Sequence, residues 1–221
     1  MKVLRKGKTF TVYYTENSSK EKVILKIINS EYLNDEEKYQ KILRQFQVEK
    51  EILKQLDFDF IPKYIDSTEL CLCMNYIEGE NLKDIKNKLN YEEKLDILIQ
   101  LSKIVKELHK VRIIHCDIKP ENIIYNRGKI YIIDFGSAML DGEKVEYIQG
   151  SKNYSAPEIY QEFIRCPQND IYSVASIYNQ LIEEEKKDYR IIYGGMKKDK
   201  KERFNSIDKI LRILLDIRSK I

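Results

Sequence analysis

Four polar side chains lie close together in this 221-residue chain: Asp117, Lys119, Asn122 and Asp134. Short apolar runs of strand type flank them, at 113–114, 123–125 and 130–133. Asn126-Arg127-Gly128, between the last two runs, is a hairpin signal. Residues 117–122 then form a polar loop entering one strand. Asp134 closes the next strand, ahead of Gly136, which frees the backbone. Such a hairpin brings Asn122 and Asp134 side by side. An amide oxygen and a carboxylate are hard oxygen ligands and suit Mg²⁺. Asp117 stands a few residues away, placed to accept a proton, and Lys119 can neutralise a moving phosphoryl group. The chemistry this set suits is phosphoryl transfer.

The elements that must hold these residues can be read outward from them. Residues 4–14 read as strand, turn, strand around Gly7, and 16–22 as a polar hairpin loop. Residues 23–28 form a strand interrupted by Lys26, with Ile24 and Ile28 on the same face. Residues 34–56 form a helix, opened by Asn34 and Glu37 in capping-box fashion. Its apolar stripe comprises Tyr39, Ile42, Leu43, Phe46, Leu53 and Leu56, with Glu49 among them. A carboxylate on a buried face needs a cation, and Lys26 is the candidate. The other reading leaves Glu49 in water at the stripe's edge. Strands at 64–66 and 70–76 complete a five-stranded antiparallel sheet, and Glu78-Gly79-Glu80 breaks the pattern.

Beyond that break the chain turns helical. Leu95, Leu98, Leu101, Val105 and Leu108 mark one helix, ending near His109. Ile171, Val174, Ala175, Tyr178, Leu181 and Ile182 mark a second, opened by Asp170 as an N-cap type residue. Residues 183–203 are charged and contain Gly194-Gly195; the lysines at 197, 198, 200 and 201 read as a solvated loop rather than a nucleic-acid patch. Ile207, Ile210, Leu211, Leu214 and Ile221 mark a last helix.

Composition bounds the function. The net charge of +3 with 34% charged residues describes a mixed surface, not a nucleic-acid binder. No apolar run approaches a membrane span. Four cysteines and a charged first stretch, unlike a secretory leader, point to a reducing compartment, the cytoplasm. Cys71 and Cys73 alternate along a strand and read as core packing. Two histidines make a zinc site unexpected.

In order, these pieces resemble the eukaryotic-like (Hanks-type) Ser/Thr protein kinases. His115-Cys116-Asp117-Ile118-Lys119-Pro120-Glu121-Asn122 resembles H-R-D-L-x-x-x-N, and Asp134-Phe135-Gly136 is D-F-G. Val23-Ile24-Leu25-Lys26 resembles V-A-I-K. Gly150-Ser151-Lys152-Asn153-Tyr154-Ser155-Ala156-Pro157-Glu158 resembles the G-T-x-x-Y-x-A-P-E close of an activation segment. The likeness runs from Leu4 to Leu214, with a trimmed C-terminal lobe.

The resemblance implies a two-lobed α+β fold: an N-lobe (1–77) with a five-stranded antiparallel sheet and one helix, and a mainly helical C-lobe (78–221). It implies ATP and Mg²⁺ as cofactors, with MgATP between the lobes. Asp117 would be the catalytic base, Lys119 the group that stabilises the transferring phosphoryl, and Asn122 and Asp134 the metal ligands. Lys26, oriented by Glu49, would hold the α- and β-phosphates. Gly7, Val12, Ile24 and Ile124 would line the nucleotide. Met74 would back the adenine, and the backbone of Asn75, Tyr76 and Ile77 would bond its edge. His115 would support Phe135, Asp170 would brace the catalytic loop, and Arg203 would pair with Glu158. Lys119 and Ser151 favour a protein Ser/Thr hydroxyl as acceptor, with a regulatory protein as a further partner.

Departures from the pattern qualify this. Only Gly7 survives in the lid motif, with Arg5 and Phe10 at the other glycine positions, and Ile24 replaces a small Ala. A nucleotide-binding pseudokinase, or a small-molecule phosphotransferase of the same fold, are the alternatives. Cys116 replaces an Arg that in many relatives meets a phosphorylated activation segment. A phosphate on Ser137, Tyr147 or Ser151 would here be left to Lys144 or Lys152, which predicts activity without such phosphorylation.

Overall fold

Alternating strands in the first part of the chain pair in the order their loops allow. In the computed structural model, which describes residues 1–32, 35–143, 150–161 and 165–221, the chain divides into two units, Met1–Glu78 and Gly79–Ile221.

The first unit is a five-stranded antiparallel sheet plus a helix. Its strands are β1 (Lys2–Lys6), β2 (Phe10–Glu16) and β3 (Lys22–Ile28), then, after helix α1 (Glu36–Gln55), β4 (Tyr64–Ser67) and β5 (Cys71–Asn75). The spatial order is β1-β2-β3-β5-β4, so β3 is central and carries Lys26 between β2 and β5. Ile28, Leu72 and Met74 are buried on one face of the sheet and Val23 on the other, and Phe46, Ile52 and Leu53 of α1 are buried as well. Asp35 caps the helix by accepting from the Lys38 amide at 3.2 Å. Asn34, expected as the cap, lies outside the described residues. Cys71 and Cys73 are free thiols on the face opposite Leu72 and Met74, half-buried rather than in the core.

The second unit begins with β6 (Glu80–Asn81) and a short α2 (Leu82–Ile85), followed by α3 (Tyr91–Lys110). Asn90 and Glu93 form a full capping box at the start of α3. Leu95, Leu98, Leu101, Val105 and Leu108 of α3 are fully buried. Next come β7 (Ile113–Ile114), β8 (Ile123–Asn126), β9 (Lys129–Ile132) and β10 (Met139–Leu140). The β8–β9 turn is two residues long, with Arg127 at φ 47° and Gly128 at φ 84°, the twist-matched geometry of a tight hairpin.

Three helices complete the unit: α4 (Pro167–Leu181), α5 (Tyr189–Gly195) and α6 (Asp208–Arg218). Asp170 is not the cap of α4. The helix starts at Pro167 with Cys166 as cap, because proline's fixed φ suits the first turn, and Asp170 is turned to the interior. The charged stretch 183–203 contains α5, ahead of the lysine cluster, and its glycine pair admits Phe204 and Ala175 at close range. Ile221 lies past α6 and is 57% exposed, off the buried face formed by Ile210, Leu211 and Leu214. Among the described residues, no helix is long and apolar enough to cross a membrane.

Candidate active site

The β8–β9 hairpin sets the first geometry. Ile123 pairs with Ile132, and the Ile133 amide donates to the Asn122 carbonyl at 2.9 Å, so Asn122 faces Ile133 with Asp134 next in line. Asp134 itself adopts a left-handed backbone, φ 67°. The sequence assigned that freedom to Gly136; the structure gives it to the Asp, a residue type that tolerates it.

Ahead of the hairpin, Pro120 opens a single 3₁₀ turn, Pro120–Asn122. That turn folds the Asn122 amide back, so that Nδ2 donates to the Asp117 carbonyl at 2.9 Å and to its Oδ2 at 3.0 Å. Lys119 Nζ donates to Asp117 Oδ2 at 2.6 Å and to Ser151 Oγ at 2.7 Å. Ser151 Oγ donates to Asp117 Oδ1 at 2.5 Å. One carboxylate thus gathers an ammonium, an amide and a hydroxyl. Asn122 Oδ1 is buried and has no hydrogen-bond partner among the described residues. An orphaned amide oxygen beside a carboxylate fits a hard dication that takes its other ligands from phosphate and water.

Buried polar bonds hold this loop from below. The Asp170 carboxylate is fully buried and accepts from the amides of His115 and Cys116, both at 2.9 Å, with His109 Nε2 at 3.0 Å. These contacts offset the cost of burying its polar oxygens. Cys116 sits at φ 64°, a left-handed residue directly before Asp117. The His115 ring packs on Phe135, centroids 4.9 Å apart, and its Nδ1 accepts from the Asp117 amide at 3.3 Å. Further along, the Ser151 amide donates to Ser155 Oγ at 2.7 Å. Glu158 accepts from Arg203 at 2.7 and 3.0 Å and from Asn169 at 2.8 Å, all buried.

In the first unit, Lys26 Nζ donates to both Glu49 oxygens at 2.8 Å, with the residues 7% and 1% exposed. Glu49 is therefore inside, not at a wet edge. Ile24 pairs with Met74 across β3 and β5, and Val12 pairs with Lys26 across β2 and β3. The amides of Asn75 and Tyr76 already donate to Lys63 O (3.1 Å) and Lys22 O (3.0 Å). That narrows the edge expected to meet an adenine to the Ile77 amide and the neighbouring carbonyls. Gly7 closes the β1–β2 turn by donating to Phe10 O at 2.9 Å. A Cβ there would stand 2.9 Å from that same oxygen. Ile124 is buried on β8, in the second unit.

Two residues escaped the sequence reading. Asn29 holds the β1–β2 turn: its Nδ2 donates to Gly7 O at 3.0 Å and Lys8 O at 2.8 Å, and Thr11 Oγ1 donates to its Oδ1 at 2.7 Å. A lone Asn at a strand end gives no sequence signal for that. Arg165 is 2% exposed and close enough to Cys116 to act on it electrostatically, a buried cation where the sequence offered only Lys144 and Lys152. Burial pushes the Cys116 thiol well above its ordinary range, so it stays protonated. Lys144 and Tyr147 lie outside the described residues.

Known proteins resemble the chain along most of its length. The Ser/Thr-protein kinase nekl-2 of Caenorhabditis elegans is 30% identical over 190 residues, covering 77% of this chain and 52% of that protein. The Ser/Thr-protein kinase PrkC of Bacillus subtilis is 29% identical over 195 residues, covering 82% of this chain and 30% of PrkC. The KEOPS complex subunit Bud32 of Pyrococcus abyssi is 39% identical over 77 residues, 35% of each chain. The chain thus spans about half of the first relative and less than a third of the second. The family described as "Protein kinase domain" matches residues 1–218. With that match running from β1 to the end of α6, and the Lys26–Glu49 and Asp117–Lys119–Asn122 arrangements in place within it, the chain belongs to the protein kinase domain family.

Proposed function

We propose that the chain is a Ser/Thr protein kinase that transfers the γ-phosphoryl group of MgATP to a protein hydroxyl. The observation that carries this reading is the Ser151 hydroxyl, which donates to Asp117 Oδ1 and accepts from Lys119 Nζ. A substrate hydroxyl needs the same two partners: an acceptor for its proton and a cation near the oxygen that attacks. Asp117 would take the proton as the oxygen–phosphorus bond forms, and Lys119 would stabilise the charge on the group in transfer. Lys26, held by Glu49, would bind the α- and β-phosphates. Bound through Asn122 Oδ1 and the Asp134 carboxylate, Mg²⁺ would supply charge neutralisation on the phosphates. Positioning and electrostatics then account for most of the acceleration. Ser151 and Lys119 support a Ser/Thr acceptor on a protein substrate.

The test is transfer of labelled γ-phosphate from MgATP to a generic basic protein. Asp117→Asn should lower transfer by about 10³-fold or more while leaving MgATP binding within about twofold of wild type. Equal labelling by wild type and Asp117→Asn would refute the mechanism. Binding of MgATP by wild type with no transfer to any protein would support the scaffold reading that the single-glycine lid and Ile24 motivate.

A further inference from the structure

The first unit contains a run of side chains that joins Lys26 to three residues the transfer chemistry does not use, Phe10, Phe46 and Lys50. The Phe10 ring, at the start of β2, meets the Phe46 ring on α1, with centroids 5.0 Å apart and planes tilted by 39°. The Lys26 ammonium lies 4.8 Å from the centre of the Phe10 ring. The Lys50 ammonium lies 4.2 Å from the centre of the Phe46 ring. Cation, ring, ring and cation therefore follow one another across β3, β2 and α1. Both separations from cation to ring fall within the range of a cation–π attraction, and the rings sit at an ordinary aromatic spacing.

Each end of the run is tied down. Lys50 Nζ donates to the carbonyls of Thr68 at 2.6 Å and Glu69 at 2.8 Å, in the β4–β5 turn. Lys26 donates to both Glu49 oxygens on the same helix that carries Phe46 and Lys50. Phe10 follows the turn that Asn29 clamps, and its carbonyl accepts from the Gly7 amide. Phe46 is 0% exposed, Lys50 and Lys26 are 3% and 7% exposed, and Phe10 is half-buried, so water screens these attractions only in part. If Phe10 were simply an apolar filler, its volume alone would matter and a leucine would serve. A ring lying over an ammonium gives its π face a separate part to play.

We propose that Phe10 is a positioning residue: backed by Phe46 and Lys50, its ring covers the Lys26 ammonium and seats it against Glu49, tying the aim of Lys26 to the β1–β2 turn. This rests on the reading of Lys26 as the group that holds phosphate. It assigns to the lid a task other than wrapping the nucleotide. A residue at a lost glycine position fixes the phosphate-binding cation from inside the unit.

The experiment compares wild type, Phe10→Leu, which keeps apolar bulk and loses the ring, and Phe10→Tyr, which keeps the ring. Acetylation of Lys26 by an N-hydroxysuccinimide ester is followed by peptide mass spectrometry in the nucleotide-free protein. Lys26 should react about fivefold faster in Phe10→Leu and within about twofold of wild type in Phe10→Tyr. By calorimetry MgATP should bind Phe10→Leu about fivefold more weakly, about 1 kcal/mol, with kcat at saturation within about twofold. Should Phe10→Leu not fold by circular dichroism, Phe46→Leu is put through the same measurements with the same expected direction. Unchanged Lys26 reactivity in the leucine variant overturns the proposal. So does equal impairment in Phe10→Tyr or, where wild type binds MgATP, faster acetylation without weaker binding. The acetylation needs no nucleotide, so a wild type that neither binds nor transfers refutes the kinase reading alone, and the reaction rates still decide whether the ring seats Lys26.

Discussion

The loop around Asp117 and the turn around Gly7 are both short connections that have to hold still, and they are held by different means. Around Asp117 the fixings are polar and buried. The Asp170 carboxylate takes two backbone amides, Asn122 reaches back to Asp117, and two non-glycine residues, Cys116 and Asp134, keep left-handed backbones. Around Gly7 the fixings are one asparagine at the surface and one aromatic ring turned inward. The first arrangement lies in the segment that carries the resemblance to H-R-D-L-x-x-x-N and D-F-G. The second lies where two lid glycines are absent. Where the family pattern is kept, hydrogen bonds specify the geometry. Where it is lost, packing and a side-chain clamp take over the task.

Breaking the polar side should have the larger effect. Asp170→Ala leaves two buried amides without an acceptor, at about 1–3 kcal/mol each. We expect a loss of about 3 kcal/mol in stability, read as a fall of about 6–12 °C in melting temperature. Transfer should drop by about 10²-fold, since the amides next to Asp117 lose their anchor. A variant with wild-type rate would show that Asp170 does not brace the loop.

Loosening the other side should cost less. Asn29→Ala removes three side-chain hydrogen bonds at a partly exposed turn. The KM for MgATP should rise about three- to fivefold with kcat nearly unchanged, because the turn would then have to be ordered by the ligand. Equal losses in kcat and kcat/KM would place Asn29 in the transition-state machinery instead.

Ile24→Ala sharpens the contrast at the nucleotide. The fold should lose about 2 kcal/mol. Binding of MgATP by calorimetry should tighten or stay level, because the smaller side chain widens the site beside Met74. A large loss of affinity would mean that Ile24 makes a contact the ligand needs.

The smallest effect concerns neither turn and serves as a control on the scaffold. The Lys106 ammonium hydrogen-bonded to Asp208 at 2.6 Å holds that carboxyl below its ordinary value of 3.8. A depressed carboxyl contributes stability that is present above its unfolded pKa and is lost as pH falls through the folded one. The contribution of this pair to melting temperature should therefore be full and independent of pH near neutrality and decline in acid below about pH 4. Asp208→Asn should melt slightly lower than wild type at pH 7, and the gap should close in acid. A gap that widens in acid would contradict the assigned sign.

Much of the framework was legible in the residues. The strand around Lys26, the helix with Glu49 on its apolar stripe, and the hairpin at Arg127-Gly128 follow from periodicity and turn chemistry, which are local and survive without tertiary context. The same holds for the segment that brings Asp117, Lys119 and Asn122 within a few residues. The start of α4 was misread because an Asp near a helix start has the same composition whether it caps the helix or turns inward. α5 was missed because seven residues ending in Gly-Gly have weak helix propensity and are formed by packing on α4.

By itself, then, the sequence determined which groups could do chemistry and which elements carry them, since spacing along a strand or helix sets the face on which a side chain emerges. It also put Glu49 on the apolar stripe and named Lys26 as its candidate cation, and the structure decided between that pairing and a wet edge. Only the tertiary structure decided the contacts between residues far apart in the chain. Beyond those the resemblance implied, such as Asp170 under the catalytic loop, these include Asn29 on the Gly7 turn, Arg165 near the thiol, and Phe10 between Lys26 and Phe46. Hydrogen bonds and ring contacts act over a few ångströms, and chain distances of tens of residues carry no record of which groups will come that close.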